Sequence, residues 1–280
     1  MSPIVYKVAV LIFHGADILD FTGPIEILSH VSCRYKDKEK GKHDGDLSEP
    51  EPQGQPMFEI TTIARDETIT TSCSTKIKAD MLLSTAYPII STFDILIVPG
   101  AAPTLIHALV EHETPEKDLV CAYARTNPSR PRIIFSICTG AFLLGAAGIL
   151  PGTTVTTHQH ALEVLRGICA SAGSNDNGNV NGNGNVNGNG SGTGTKDIPR
   201  IVRRRFVDGG YVRESRVQVV TAGGISSGLD ATFYIVCLLA GAETASWIAR
   251  VMEYGWREPE SGLWPRGFAG PRSYLGTSRA

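Results

Sequence analysis

The chain has no Cys-x-x-Cys pair and no zinc-like spacing among its six cysteines, Cys33, Cys73, Cys121, Cys138, Cys169 and Cys237. That scatter argues against a zinc ribbon and against a thioredoxin-type dithiol. No apolar run reaches the roughly 20 residues a bilayer-crossing helix needs. There is no basic excess either: the formal net charge is −2 and the pI is near 6.4. A nucleic-acid or membrane-surface partner is therefore not expected. The densest basic cluster, Arg203-Arg204-Arg205, falls in a strand-like segment and reads as a solvated strand face. The first residues pass from Met-Ser-Pro straight into a strand-like run, without a signal-peptide pattern. The expected compartment is the reducing cytoplasm, where the Asn189-Gly190-Ser191 triplet is incidental.

At 280 residues and 42% hydrophobic, the chain can build one large domain or two small ones. Buried strand-like runs occur at residues 8–13, 58–63, 93–98 and 132–137. Residues 68–79 alternate as a pair of short strands. Asp20-Phe-Thr-Gly-Pro24 reads as a turn, with Pro24 in the first turn of a helix running to about His30. A helical region from about Thr104 divides near Pro115, and helices are expected at 160–167, 226–239 and 242–254. Residues 200–207 and 211–221 flank Asp208-Gly209-Gly210, a hairpin signal. Strands alternating with helices give an α/β fold, a mainly parallel sheet with helices on both faces. One domain over 6–256 is expected, with mobile insertions at 35–56 and 171–198 and an irregular tail at 257–280. The second insertion holds 8 Asn and 7 Gly among residues 174–195, too little apolar surface to join a core.

The segment RIIFSICTGAFLLGAAG, residues 132–148, is the most informative. A β-branched apolar run stops at Cys138, and a small-residue helical run begins with no linker between them. Cys138 then sits on a strand-to-helix turn, the layout of a nucleophile elbow. The N–H groups of the following turn are expected to lower the thiol pKa and favour the thiolate. A buried structural cysteine is the competing account. Asp20, shortly after the end of the first strand, is a candidate reactive group, or simply a helix N-terminal or turn carboxylate. Asp17 competes with it. Thr139 reads as a helix-start hydroxyl. His158 and His160 read as packing or surface histidines, Asp230 as structural, and His107 and His112 as a helix pair without metal-site spacing.

Taken together, LDFTGP (19–24), DILIVPG (94–100), SICTG (136–140), LGAAGIL (144–150), TTH (156–158), VDG (207–209), TAGGI (221–225), GLD (228–230) and Glu253-Tyr254 resemble the ThiJ/PfpI superfamily. Within it they are most similar to the isonitrile hydratases, from about Val8 to Tyr254. The resemblance implies a three-layer α/β sandwich, flavodoxin-like or class I glutamine amidotransferase-like, and a homodimer. It implies that Cys138 is the nucleophile, Asp20 its acidic partner and Thr139 a neighbour of the reacting centre. Gly100 and Ala101 fall at the family's oxyanion-type turn, with Ala101 where a second glycine is usual. An alanine there would be strained if the turn needs positive φ. Thr139 also stands where peptidase-like members carry histidine, which weakens a Cys–His dyad.

The implied activity is hydration of an isonitrile, a small-molecule substrate, to an N-substituted formamide through a covalent thioimidate, with no metal or organic cofactor required. The alternatives are a non-catalytic small-molecule sensor, a redox sensor, or another thiol-dependent hydrolase. The few residues after Tyr254 leave no room for a helix-turn-helix region, which counts against a self-contained transcription factor.

Overall fold

The computed structural model describes residues 4–32, 55–125, 132–172, 198–213 and 215–257. Almost all of the expected insertions at 35–56 and 171–198, and of the tail at 257–280, lies outside them. The chain order is β1 (Tyr6–Leu11), α1 (Ile18–Ser29), β2 (Phe58–Ala64), β3 (Thr68–Thr70), β4 (Lys76–Lys78), β5 (Met81–Leu82), α2 (Leu83–Ala86), a 3-10 turn (Tyr87–Thr92) and β6 (Ile95–Val98). Then follow α3 (Pro103–Glu111), α4 (Pro115–Arg125), β7 (Arg132–Ile137), a 3-10 turn (Cys138–Gly140), α5 (Ala141–Ala146), β8 (Thr154–Val155) and α6 (Leu162–Ala172). The last elements are β9 (Arg200–Ile201), β10 (Phe206–Tyr211), β11 (Val217–Ala222), α7 (Ser227–Ala240) and α8 (Ala242–Val251).

Seven strands form the central sheet in the order β10-β11-β7-β6-β1-β2-β5. All neighbouring pairs are parallel except β10 with β11. The unbroken apolar runs explain the middle of this sheet. Every residue of β6 and β7 is buried, as a strand covered on both faces requires. The helices gather in two groups, α1 with α7 and α8, and α3, α4 and α6 around α5. The result is the mainly parallel sheet between helical layers that the sequence implies. β1, β6 and β7 run parallel, so their carboxyl ends open on one edge, where reactive groups collect in such sheets. No helix among the described residues is long and apolar enough to cross a membrane.

Two local expectations are corrected. Helix α1 begins at Ile18, not near Pro24, so Asp20 is a first-turn residue and Pro24 lies inside the helix. Pro24 there withholds the N–H that the Asp20 carbonyl would otherwise receive. Asp208-Gly209-Gly210 is not the hairpin turn but lies within β10, where the register against β11 shifts. Three neighbours hold it in the strand. The Asp208 carboxylate accepts from Tyr234 Oη at 2.6 Å and Gln218 Nε2 at 2.7 Å. A side chain at Gly209 would come within 2.3 Å of the Thr154 carbonyl oxygen. The split at Pro115 and the short β3–β4 pair match the sequence reading.

Candidate active site

Cys138 follows the last residue of β7 and has φ of 55°, one of three non-glycine residues at positive φ among those described. The left-handed conformation costs an L-residue about 1–2 kcal/mol. Such strain at the end of a buried strand marks a built elbow. Its backbone is pinned on both sides: Cys138 N–H donates to Gly223 O at 2.9 Å, and Thr157 Oγ1 donates to Cys138 O at 2.8 Å.

The elbow closes against the end of β6. Gly140 allows this, because a Cβ there would lie 2.3 Å from Val98 O and 2.7 Å from Pro99 O. Gly100 approaches from the other side. A Cβ on it would lie 2.7 Å from Thr139 N and 2.8 Å from Cys138 Cβ. The glycine at 100 is therefore required by close approach, and Ala101 is not among the residues at positive φ. Gly100→Ala is expected to cost about 2–4 kcal/mol through overpacking. It should also lower turnover about 100-fold by displacing the elbow. Thermal unfolding and steady-state kinetics on the one variant check both effects.

The structure brings Cys138, Asp20, Thr139, Gly100 and Ala101 into one knot, but it assigns the donors differently from the sequence reading. Gly100 N–H donates to Asp20 Oδ2 at 2.9 Å across 80 residues of sequence. Ala101 N–H donates to Thr139 Oγ1 at 2.9 Å, and Thr139 Oγ1 donates to Ala101 O at 2.8 Å. Neither expected oxyanion N–H faces open space. Both are spent joining the three loops, and the Thr139 hydroxyl does the same work. The amides that reach the sulfur are those of Thr139 and Ile225. Ile225, in the loop between β11 and α7, is a site residue the sequence reading missed. Its contribution is a backbone N–H, which side-chain identity does not reveal.

Asp20 is fully buried, and its Oδ1 has no hydrogen-bond partner among the described residues. One oxygen of Asp20, one of Asp17 and the Cys138 sulfur lie within 4.8 Å of one another. Burial raises the Asp20 carboxyl to about 7; the Gly100 N–H opposes this and the nearby Asp17 adds to it. Cys138 is 5% exposed. Its thiol is raised to about 12, by burial first and the Asp20 charge second, against the Thr139 and Ile225 amides. The shift runs opposite to the lowering expected from the elbow amides. The helix-start amides are present, but loss of water around the sulfur outweighs them. Above about pH 7 the pair holds one proton: a carboxylate whose Oδ1 has no partner among the described residues stands beside a neutral thiol.

The histidines stay outside this knot. His158 packs on Gly224, with its Cδ2 2.7 Å from where a Cβ would stand, and its ring lies 5.4 Å from that of His160. His107 meets the edge of Phe142 at 5.9 Å. Asp230 is buried and paired with Arg205, the structural role read for it.

A sequence profile of the DJ-1/PfpI family matches residues 6–186. The chain is 24% identical to an isonitrile hydratase of Pseudomonas putida over 249 residues, 89% of this chain and 78% of that protein. Among solved structures it resembles a ThiJ/PfpI family protein from Pseudomonas syringae, with a TM-score of 0.60 and 18% identity, covering 92% of this chain and 78% of the other. It resembles Drosophila melanogaster DJ-1beta equally in fold, with a TM-score of 0.60 and 15% identity over 90% of this chain and 100% of the other. With its strained cysteine at the end of a central parallel strand and a profile match across most of its length, the chain belongs to the DJ-1/PfpI family.

Proposed function

We propose that this protein hydrates an isonitrile, R–N≡C, to an N-substituted formamide, R–NH–CHO, by covalent catalysis at Cys138. The observation that carries the reading is the single-proton pair: a thiol at a strained elbow beside a buried carboxylate whose unpartnered oxygen can take its proton. The similarity to a curated isonitrile hydratase supports the choice of substrate class.

The isonitrile carbon is soft and has an open valence, which suits a sulfur nucleophile. Asp20 takes the Cys138 proton as the sulfur bonds to that carbon. The carbon then receives the proton back from Asp20, leaving the thioimidate R–N=CH–S–Cys138. Water next adds its oxygen to the same carbon, and Asp20 takes a water proton. The C=N electron pair moves onto nitrogen, which collects that proton. Finally the C–S bond breaks, a carbonyl forms, and the hydroxyl proton returns through Asp20 to the sulfur. The sum is isonitrile plus water giving formamide. One carboxyl with a pKa near 7 serves every transfer, the poise a group needs to act alternately as acid and base.

The test is a panel of aliphatic and aromatic isonitriles incubated with the protein. Formamide release, and a transient mass increase on the Cys138 peptide equal to the mass of the isonitrile, are expected. Ligand binding or cysteine oxidation without formamide from any member would overturn the reading in favour of a sensor. Hydrolysis of an amide or ester by the same cysteine would favour another thiol-dependent hydrolase.

A further inference from the structure

We infer that Arg205 is a positioning residue for the reacting sulfur: it brackets the loop that aims the Ile225 N–H at Cys138. This deepens the reading above, and rests on it only for which sulfur reacts.

The loop between β11 and α7 is held at both ends by this one residue. At the start, Gly223 N–H donates to the Arg205 carbonyl at 2.7 Å, while Gly223 O receives the Cys138 N–H. At the end, Arg205 Nη2 donates to Ser226 O at 3.2 Å. Ile225 lies between these two fixed points, and its N–H contacts the sulfur. From there the loop runs straight into the first turn of α7, with Ser227 N–H donating to Gly224 O at 3.0 Å and Gly228 N–H to Ile225 O at 3.1 Å, and Gly224 is seated against His158.

The guanidinium is itself aimed. Its Nε donates to Asp230 Oδ2 at 2.5 Å, and Asp230 is fully buried in the first turn of α7. The other Asp230 oxygen, Oδ1, accepts from Tyr254 Oη at 3.1 Å and from Arg257 N–H at 3.1 Å. Trp256 Nε1 donates to Asp230 O at 3.2 Å, and the rings of Tyr254 and Trp256 each lie 5.6 Å from Phe233. The segment after α8 thus fastens Asp230, Asp230 fixes Arg205, and Arg205 fixes the donor loop. The Nη2 that reaches Ser226 O also pairs with Asp230 Oδ2, so one nitrogen joins the buried carboxylate to the backbone of the loop.

Arg205→Lys separates these roles. The backbone carbonyl contact survives any side chain. A lysine can still pair with Asp230, but one ammonium lacks the fork that reaches Asp230 and Ser226 O together. The readout is the iodoacetamide alkylation rate of Cys138 against pH, by site-resolved mass spectrometry, with exposed Cys73 in the β3–β4 turn as internal reference. The charged groups facing the sulfur, Asp17 at the N-cap of α1 and Asp20 in its first turn, are unchanged in the variant. At a given pH, Cys138 alkylation should slow about tenfold, the effect of roughly one pKa unit. Cys73 should keep its rate, and the melting temperature should stay near that of the wild type.

Superimposable Cys138 profiles would overturn the inference, as would equal slowing at Cys73. If Arg205→Lys fails to fold, Tyr254→Phe carries the test. It removes one bond to Asp230 and should slow Cys138 about twofold, and an unchanged profile there overturns the inference as well. No isonitrile enters the assay, so an inactive wild type would defeat the hydratase reading and leave this one to be decided by alkylation alone.

Discussion

Asp20→Asn is expected to abolish turnover and, in the same protein above pH 7, to make the fold more stable. The two effects have one cause. Asp20 is buried at the carboxyl edge of the sheet, with a single compensating hydrogen bond to its carboxylate among the described residues, so its charged form is held at a cost. Its folded-state pKa is about 7 against 3.8 unfolded. Below about pH 4 both states hold the proton and the group contributes no difference. Between about 4 and 7 the folded state alone holds it, so the folded state loses ground as pH rises. Above 7 the full penalty remains, on the order of 4 kcal/mol for about three pKa units. Asparagine can accept the Gly100 N–H without carrying charge. It should therefore recover about 2–4 kcal/mol at pH 8 and almost nothing at pH 4. Denaturant melts of both proteins at the two pH values measure this.

The kinetic side runs the other way over the same window. Asp20 must be a carboxylate to accept the thiol proton, so kcat/KM for the wild type should rise tenfold per pH unit to a plateau just above 7. Asparagine cannot accept that proton, and turnover should fall by about 10³-fold or more. A stabilised Asp20→Asn protein that still turns over at the wild-type rate would remove Asp20 from the mechanism.

Replacing Cys138 gives the second large effect. Alanine and glycine both remove the sulfur, and turnover should vanish with either. Their stabilities should differ. Alanine keeps a Cβ on a residue at φ 55°, whereas glycine occupies that region freely. Cys138→Gly should be more stable than Cys138→Ala by about 1 kcal/mol, despite burying less. The usual order for a buried position is the reverse, so the comparison reports the elbow strain directly. Equal stabilities would mean that the left-handed conformation is not maintained without the sulfur.

What the sequence disclosed follows from what is local. The unbroken apolar runs at β1, β6 and β7 specify strands buried on both faces, and the abrupt change after Ile137 locates the elbow. Asp20 can be picked out because the LDFTGP pattern travels with it, although Pro24, which suits a first turn, lies inside a helix that starts at Ile18. Where partners come from distant segments, the sequence was less informative. The protonation of Cys138 depends on how much water the whole fold excludes, which no window of residues records. The Gly100 and Ala101 amides were expected to face substrate because nothing in the sequence shows that Asp20 and Thr139 claim them first. Asp208-Gly209-Gly210 has the composition of a turn, and only Tyr234, Gln218 and the passing Thr154 backbone keep it in a strand.

The β11–α7 loop also bears on biosynthesis. A growing polypeptide that has passed Cys138 still lacks Ile225, and lacks the strand that will pair with β7 on its far side. Until those residues emerge, the sulfur belongs to an ordinary solvated thiol with no strained backbone to present it. The elbow is completed only when nearly all of the sheet has been made, so a chain cut short before Ile225 carries the cysteine without the setting that raises its pKa and presents it beside Asp20.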